Sequence, residues 1–380
     1  MIKKVKLGSI CDIYSAGDKP KQFSETETAE LNIPVYGNGR DNEGLVGFTD
    51  KAGILSKAVT VAARGSSCGV AFYRTKPYMP IVRLLSLVAK PGIDTKYLYY
   101  QVSNRHFTGA GSGQPQITIP DIADAPIHLE TELEIQEALS NVLYILDEKI
   151  TNNNAICSNL EAMAKLLYDY WFVQFDFPDE NGKPYKSSGG KMVWNAELKR
   201  EIPEGWEIKK ISDFCRVFTG KKDVNQANDT GLYKFYSCAP EYRHSDEKMY
   251  EGKAILVSGN GSYTGRTIFV NDAFDLYQRT YACTPLTKET PLEYIYYSML
   301  RFFVPVVSGG THGSAIPYIV YGDIADHRIV SNRKTVNSFI AVTSKIQGEI
   351  ISLQDENQQL AELRDFLLPM LMNGQVKVKA

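Results

Sequence analysis

Two stretches of this chain carry apolar residues at alternating steps of four and three. The first runs Ile135, Leu139, Val142, Leu146, passes through Lys149 and Asn153, and continues through Ile156, Leu160, Met163, Leu167 and Tyr170. The second runs Phe339, Thr343, Ile346, Ile350, Leu353, Asn357, Leu360, breaks at Arg364 and resumes at Leu367. This spacing is a heptad seam. It predicts two helices of roughly 35 to 40 residues, hence roughly 50 to 60 Å long at about 1.5 Å per residue. Pro369 should end the second helix at about the residue before it. Neither seam can stay exposed, so the helices are expected to pair with each other, antiparallel, with a folded unit at either end. Asn153 and Asn357 fall near mid-seam, where a polar residue either fixes register or is merely tolerated facing water.

Outside the seams the period changes. Short β-branched runs such as Ala58-Val-Thr-Val-Ala62 alternate with Gly and Pro punctuation, as in a mixed α/β unit. The pattern occurs twice, about 200 residues apart. Leu7-Gly-Ser-Ile-Cys11-Asp-Ile-Tyr14-Ser-Ala-Gly17 is answered by Ile211-Ser-Asp-Phe-Cys215-Arg-Val-Phe218-Thr-Gly220. Each half then reaches a tyrosine cluster (Tyr97, Tyr99, Tyr100; Tyr294, Tyr296, Tyr297) and a Gly-rich loop at 109–113 and 309–313. The tetrapeptide Asp-Ile-Ala-Asp follows at 121–124 and at 323–326. Order and spacing match better than identity does, which predicts two units of one design with different surfaces.

The expected organisation is a first α/β unit at 1–130, a long helix at 131–174, an aromatic exit and linker at 175–205, a second α/β unit at 206–330, and a second long helix with a tail at 331–380. The fold class is α+β: two similar mixed domains, two long helices paired as an antiparallel coiled coil, and a pseudo-twofold internal repeat. Between the helix and the second unit, Trp171-Phe-Val-Gln-Phe-Asp-Phe-Pro178 carries large aromatics that need a surface to bury against. Asp179 to Gly190 is polar with Gly and Pro, and reads as a loop.

Composition adds bounds. A chain of 380 residues is comfortable for two or three domains, and 43% apolar with 23% charged residues is ordinary for globular material. No apolar run approaches the roughly 20 residues of a membrane span. Met1-Ile-Lys-Lys lacks the apolar core of a secretory signal, so a cytoplasmic location is expected. The six cysteines are scattered, without Cys-x-x-Cys or a histidine at ligand spacing, and read as reduced structural thiols. Charge is balanced: 15 Lys+Arg against 12 Asp+Glu over residues 1–130, and 14 against 16 over 201–330. A dedicated nucleic-acid binder usually shows a basic excess, so any such role here rests on local faces or on partners.

Enzyme-like strings dissolve on inspection. Gly259-Asn-Gly-Ser-Tyr-Thr-Gly265-Arg-Thr267 resembles a phosphate loop, but its glycines are one residue too far apart, Arg266 replaces the lysine, and β-like runs flank it. A hairpin is expected there. Gly109-Ala-Gly-Ser-Gly113 lacks the strand that a dinucleotide site requires. Asp179, Glu197 and Lys199 have the spacing of a metal-dependent nuclease core but bracket a Lys/Ser/Gly-rich loop. The histidines at 106, 128, 244, 312 and 327 form no evident triad or metal array. Binding chemistry remains. Arg64-Gly-Ser-Ser67 occupies the place equivalent to Asn260-Gly-Ser-Tyr263, and Asn38-Gly-Arg40 lies near the place equivalent to Glu241-Tyr-Arg243-His244. Arg, Asn and Gln can pair with base edges, while Ser and Tyr can hold phosphates.

At this point the chain resembles the specificity subunit of Type I restriction–modification enzymes, over essentially its whole length. Leu166-Leu-Tyr-Asp-Tyr-Trp-Phe-Val-Gln-Phe-Asp-Phe-Pro178, Asn181-Gly-Lys-Pro-Tyr-Lys-Ser-Ser-Gly-Gly190 and Ile202-Pro-Glu-Gly-Trp206 carry the likeness, together with the duplication and the two spacer helices. The resemblance implies two target-recognition domains, each reading one half of a split double-stranded DNA target, with the helices as ruler and docking site. It implies two modification (methyltransferase) subunits as partners, which methylate adenines with S-adenosylmethionine. Two restriction subunits can join, bringing ATP and Mg, while this chain binds no cofactor and performs no catalysis. Candidate DNA contacts are Asn38, Arg40, Arg64, Ser66, Ser67 and Gln114 in the first domain, and Arg243, Asn260, Ser262, Tyr263, Arg266 and His312 in the second. Trp171, Phe172, Phe175 and Phe177 are a packed patch, either internal or against a modification subunit. The competing readings are the nuclease built on Asp179, Glu197 and Lys199, and a coiled-coil adaptor that binds only protein.

Overall fold

The computed structural model describes residues 2–105, 107, 116–308, 312–313 and 317–376. The chain forms two compact units, one of residues 1–152 with 357–380 and the other of residues 153–356. In the first, a four-stranded antiparallel sheet runs in the order Cys11–Ser15, Leu85–Ala89, Ala58–Val61, Ala71–Arg74. The second opens its six-stranded sheet with the same order: Cys215–Thr219, Thr280–Pro285, Tyr250–Ser258, Thr267–Leu276. That sheet then extends through Tyr233–Tyr236 and Arg243–Ser245. In the first unit the equivalent strand, Ile33–Tyr36, sits instead in a separate three-stranded sheet with Leu45–Thr49 and Met79–Pro80.

Each unit closes on itself in the same way. Ile2–Lys6 pairs antiparallel with Pro126–Glu130, and Glu207–Lys210 with Arg328–Ser331. The closing aspartates of the two Asp-Ile-Ala-Asp repeats carry matching exposed ion pairs, Lys6–Asp124 and Lys210–Asp326, both at 2.7 Å. A short helix follows the sheet in each copy and has two working faces. In Thr95–Ser103, capped by the Asp94 side chain, Leu98 and Val102 are one turn apart and enter the sheet core with Val59, Val61, Leu85 and Leu87. Tyr97 and Tyr100 point the other way, against Leu139 and Leu143 of the long helix. The counterpart, Leu292–Ser298, sets Tyr294 against Phe172 and Phe339.

The long helices span Leu133–Tyr168 and Arg333–Met372, 36 and 40 residues. Within the first unit Asp147 meets Arg364 at 2.9 Å, and Leu139 and Leu143 meet Leu371 and Met372. Within the second unit the Asn153 amide donates to Glu356 at 2.6 Å, Cys157 lies against Ile350, and Tyr168 against Phe339. One helix ascends as the other descends, so the pairing is antiparallel in both units. Arg364 is no flaw in the seam: with Tyr100 it satisfies the Asp147 carboxylate.

Three expectations are corrected. Along the first helix, Lys149, Ile156, Met163 and Tyr170 are exposed, while Cys157, Ala164 and Tyr168 face inward. A straight helix drifts about 20° per heptad from a strict seven-residue repeat, so the buried stripe moves one position along. The second helix does not stop before Pro369 but continues to Met372. Burial of Leu371 and Met372 against Tyr97, Tyr100, Leu139 and Leu143 outweighs the missing N–H. Finally, residues 169–206 pack as part of the second unit. Trp171, Phe172, Phe175 and Phe177 are 8%, 0%, 2% and 8% exposed, in one core with Trp206, Tyr294 and Phe339. Their assignment as partner-binding residues is therefore withdrawn, because aromatic surface already buried within the unit is not available to a modification subunit.

Candidate nucleic-acid interface

In the first unit, the loop 62–70 joins two antiparallel strands and folds on its own backbone. Ala62 N–H donates to Val70 at 2.9 Å, Gly69 to Ala62 at 2.8 Å, Cys68 to Gly65 at 3.1 Å and Val70 to Ser67 at 3.0 Å. The loop 258–266 of the second unit repeats this ladder: Ser258 to Arg266 at 2.9 Å, Gly265 to Ser258 at 2.9 Å, Thr264 to Gly261 at 3.1 Å and Arg266 to Tyr263 at 2.9 Å. Both need left-handed backbone at the same two positions, Gly65 and Gly69 (φ +82° and +89°) and Gly261 and Gly265 (φ +81° and +85°). Ile117 N–H reaches Ala63, as Ile319 N–H reaches Gly259, both at 2.9 Å. The string that resembled a phosphate loop is thus the connection of a hairpin, as its flanking runs predicted.

Around each loop the candidate residues divide into braces and free tips. Asn38 is a brace: its oxygen accepts from Ala63 N–H at 2.8 Å while its amide donates to the Val82 carbonyl. Arg64 donates to the Gln116 side chain at 2.9 Å. Arg243 donates to the Val224 carbonyl and to Asp229, at 3.3 and 3.2 Å. Arg266 spans the carbonyls of Ala239 and Pro240 at 3.3 and 3.2 Å, and burial pulls its guanidinium below the usual value. Asn260 accepts from the Cys238 thiol at 3.2 Å. Arg40, Ser66, Ser262 and Tyr263 are exposed, and Ser67 is half-buried. His312 is exposed as well, stacked on Tyr318 with ring centroids 5.3 Å apart and 3.6 Å from Asp323. Gln114 and the loop 109–113 lie outside the described residues, as do His106 and residues 309–311.

Sequence reasoning missed the groups that hold these loops in place. Arg74, 4% exposed, donates to Thr60 at 3.1 Å and to Glu43 at 3.0 Å, with its guanidinium 3.7 Å from the Tyr36 ring. That clamp fixes Asn42 and Glu43 in left-handed backbone, at φ +46° and +52°, beside Arg40. The only sequence signal was an arginine closing an apolar, aromatic run, Ala71-Phe-Tyr-Arg74. Cys238 and Gln116 gave none, because their partners are remote in the chain.

The structure does not assemble the nuclease alternative. Asp179 accepts the backbone N–H groups of Asn181 and Lys183, both at 2.8 Å, Glu197 pairs with Arg328, and Lys199 sits in a turn at φ +51°. Among the described residues no group of three or more His, Cys, Asp and Glu is placed to hold a metal ion. No helix among them is long and apolar enough to cross a membrane.

The family profile described as Type I restriction modification DNA specificity domain matches residues 2–162 and 203–329, most of the chain and both copies of the repeat. The chain belongs to that family. Specificity-domain membership makes it a DNA-specificity component and not a catalytic one. Among its relatives, the Type I restriction enzyme MjaIX specificity subunit of Methanocaldococcus jannaschii is 25% identical over 325 residues, covering 77% of this chain and 72% of that protein. The Type I restriction enzyme EcoDI specificity subunit of Escherichia coli is 29% identical over 186 residues, covering 46% of this chain and 40% of that protein. A crystal structure of the Type-I restriction-modification system S subunit from M. genitalium shares the fold. Its TM-score is 0.63 at 16% identity, over 98% of this chain and 96% of that one.

Proposed function

We propose that each α/β unit of this specificity subunit reads one half of a bipartite double-stranded DNA target, and that the two long helices set the gap between the halves. The observation that carries this reading is the repeated loop ladder at 62–70 and 258–266: one backbone geometry presents Ser66 and Ser67 in one copy, and Ser262 and Tyr263 in the other. A repeated frame whose tip differs, Ser67 against Tyr263, is what two readers of different sequences require. Each long helix contributes to both units, which supports its role as a spacer. In this proposal the helices also dock two modification subunits, which methylate adenines with S-adenosylmethionine. Two restriction subunits can add ATP- and Mg-dependent cleavage. The balanced charge fits a reader whose partners supply many of the phosphate contacts.

The test is the spacing of the target. Mapping methylated adenines in DNA from cells carrying this chain with its partner methyltransferase should give two short motifs at one fixed separation. Adding or removing a base pair between them should abolish tight binding by the assembled complex. Binding that ignores the separation refutes the spacer role, and an uninterrupted motif refutes the two-reader scheme.

A further inference from the structure

Beside the loop in each unit lies a tight turn that the candidate residues above do not include. In the first unit it is Ile81-Val82-Arg83-Leu84, closed by Leu84 N–H on Ile81 at 3.1 Å and tied down by Ile81 N–H on Tyr36 and Val82 N–H on Gly17, both at 2.9 Å. In the second it is Tyr277-Gln278-Arg279-Thr280, closed by Thr280 N–H on Tyr277 at 3.0 Å, with Tyr277 N–H on Tyr236 at 3.0 Å and Gln278 N–H on Lys222 at 2.9 Å. The bonds correspond one for one, and they put an arginine at the third position of the turn twice, although only the first turn holds its two central residues in left-handed backbone. The turn is also fastened to the reading loop in both units. Asn38 bridges Val82 to Ala63 in the first, and Gly259 N–H donates to the Arg279 carbonyl at 2.9 Å in the second. Gly259 permits that approach, since a Cβ there would overlap the Arg279 carbonyl oxygen.

Both arginines are exposed, and neither guanidinium meets a hydrogen-bond or ion-pair acceptor among the described residues. Arg64, Arg74, Arg243 and Arg266, by contrast, are all engaged within their own units. Arg279 edges a cavity of about 230 Å³ lined by Gly259, Gln278, Tyr281, Tyr318 and Ile319. In the first unit Val82 and Arg83 are both held in left-handed backbone, at φ +53° and +59°, and Val82 is 57% exposed. A β-branched residue in that conformation, with its side chain in water, is strained without any packing return. A two-residue tip is narrow enough for the roughly 12 Å major groove, where arginine pairs bidentately with guanine.

We propose that Arg83 and Arg279 are matched specificity-determining residues, each making a base-edge contact in the half-site of its own unit. This deepens, and rests on, the two-reader scheme. The full chain, assembled with its modification subunit, is used to select from a randomised duplex library, as wild type and as Arg83→Ala, Arg83→Lys, Arg279→Ala and Arg279→Lys. Wild type should select a bipartite motif. The Arg83 variants should lose discrimination at one base pair of one half, and the Arg279 variants at one base pair of the other, by roughly 5- to 150-fold. The lysine variants, which keep the charge but not the bidentate fork, should lose the base preference while retaining the salt dependence. Variants that select the wild-type motif, weaken all sequences equally, or alter the same half overturn the proposal while leaving the two-reader scheme standing. A wild-type complex that selects no bipartite motif overturns that scheme, and this assignment with it. A melting temperature equal to wild type verifies that each variant is folded.

Discussion

His327 makes the second unit acid-sensitive in a calculable way. Its Nε2 is buried without a hydrogen-bond partner, and its ring lies edge-on to Phe303 at 5.4 Å, 74° between planes. Burial lowers its pKa from 6.5 to about 4, because the imidazolium would lose its hydration there. The folded value lies below the unfolded one, so the unfolded chain binds more protons in between. The stabilisation is complete above about pH 6.5 and is lost as pH falls toward about 4. At about 1.4 kcal/mol per pKa unit the ceiling is about 3 kcal/mol, of which about 2 kcal/mol is gone by about pH 5. All three tryptophans, Trp171, Trp194 and Trp206, belong to the second unit, so their fluorescence reports its unfolding alone. Urea titrations of wild type and His327→Leu are compared between about pH 7.5 and 5. The variant has its own baseline stability, but the difference between the two proteins should shift by about 2 kcal/mol in its favour as pH falls. A difference that stays constant within about 0.5 kcal/mol refutes the assignment of His327 as a buried neutral group.

Three further outcomes follow from the packing and the proposed function. Phe172→Ala, which removes the centre of the aromatic core shared with Tyr168, Tyr294 and Phe339, should cost about 3–5 kcal/mol by the same fluorescence-detected urea assay. Arg364→Ala and Asp147→Ala should each destabilise the first unit, and the double variant should fall short of their sum by about 1 kcal/mol in a thermodynamic cycle read by circular dichroism. Burial pushes the Cys11 and Cys215 thiols up to about 12, so iodoacetamide at about pH 8 should leave both unmodified in the native protein, by peptide mass spectrometry, and label them after unfolding in urea.

What was legible in the chain followed from periodicity and order. Two long helices announce themselves through many repeats of one spacing, and the duplicated unit through the recurrence of Cys11 and Cys215 and of the two Asp-Ile-Ala-Asp strings. The same periodicity misled in detail: a seven-residue template laid over a 3.6-residue helix chose Ile156 and Met163 where Cys157 and Ala164 face inward. Trp171 to Phe177 read as an exit because they follow a helix, whereas their burial depends on Trp206, Tyr294 and Phe339, residues that no local window contains. Arginines were the hardest to sort. Nothing in the sequence around Arg266 and Arg243 announces the backbone carbonyls of Ala239, Pro240 and Val224 to which they donate. Arg83 and Arg279 went unnoticed because Val82 and Gln278 before them share nothing, and only backbone hydrogen bonds make the two turns alike.

The antiparallel strand pairs that close each unit, Ile2–Lys6 with Pro126–Glu130 and Glu207–Lys210 with Arg328–Ser331, bring the entrance and exit of the chain side by side. A segment whose two ends are neighbours can be exchanged by recombination as a cassette, provided the incoming piece presents the same pair of ends and the same tyrosine face to the long helices. Under the two-reader proposal, crossovers near residues 206 and 331 would change one half of the target in one step while keeping the long helices.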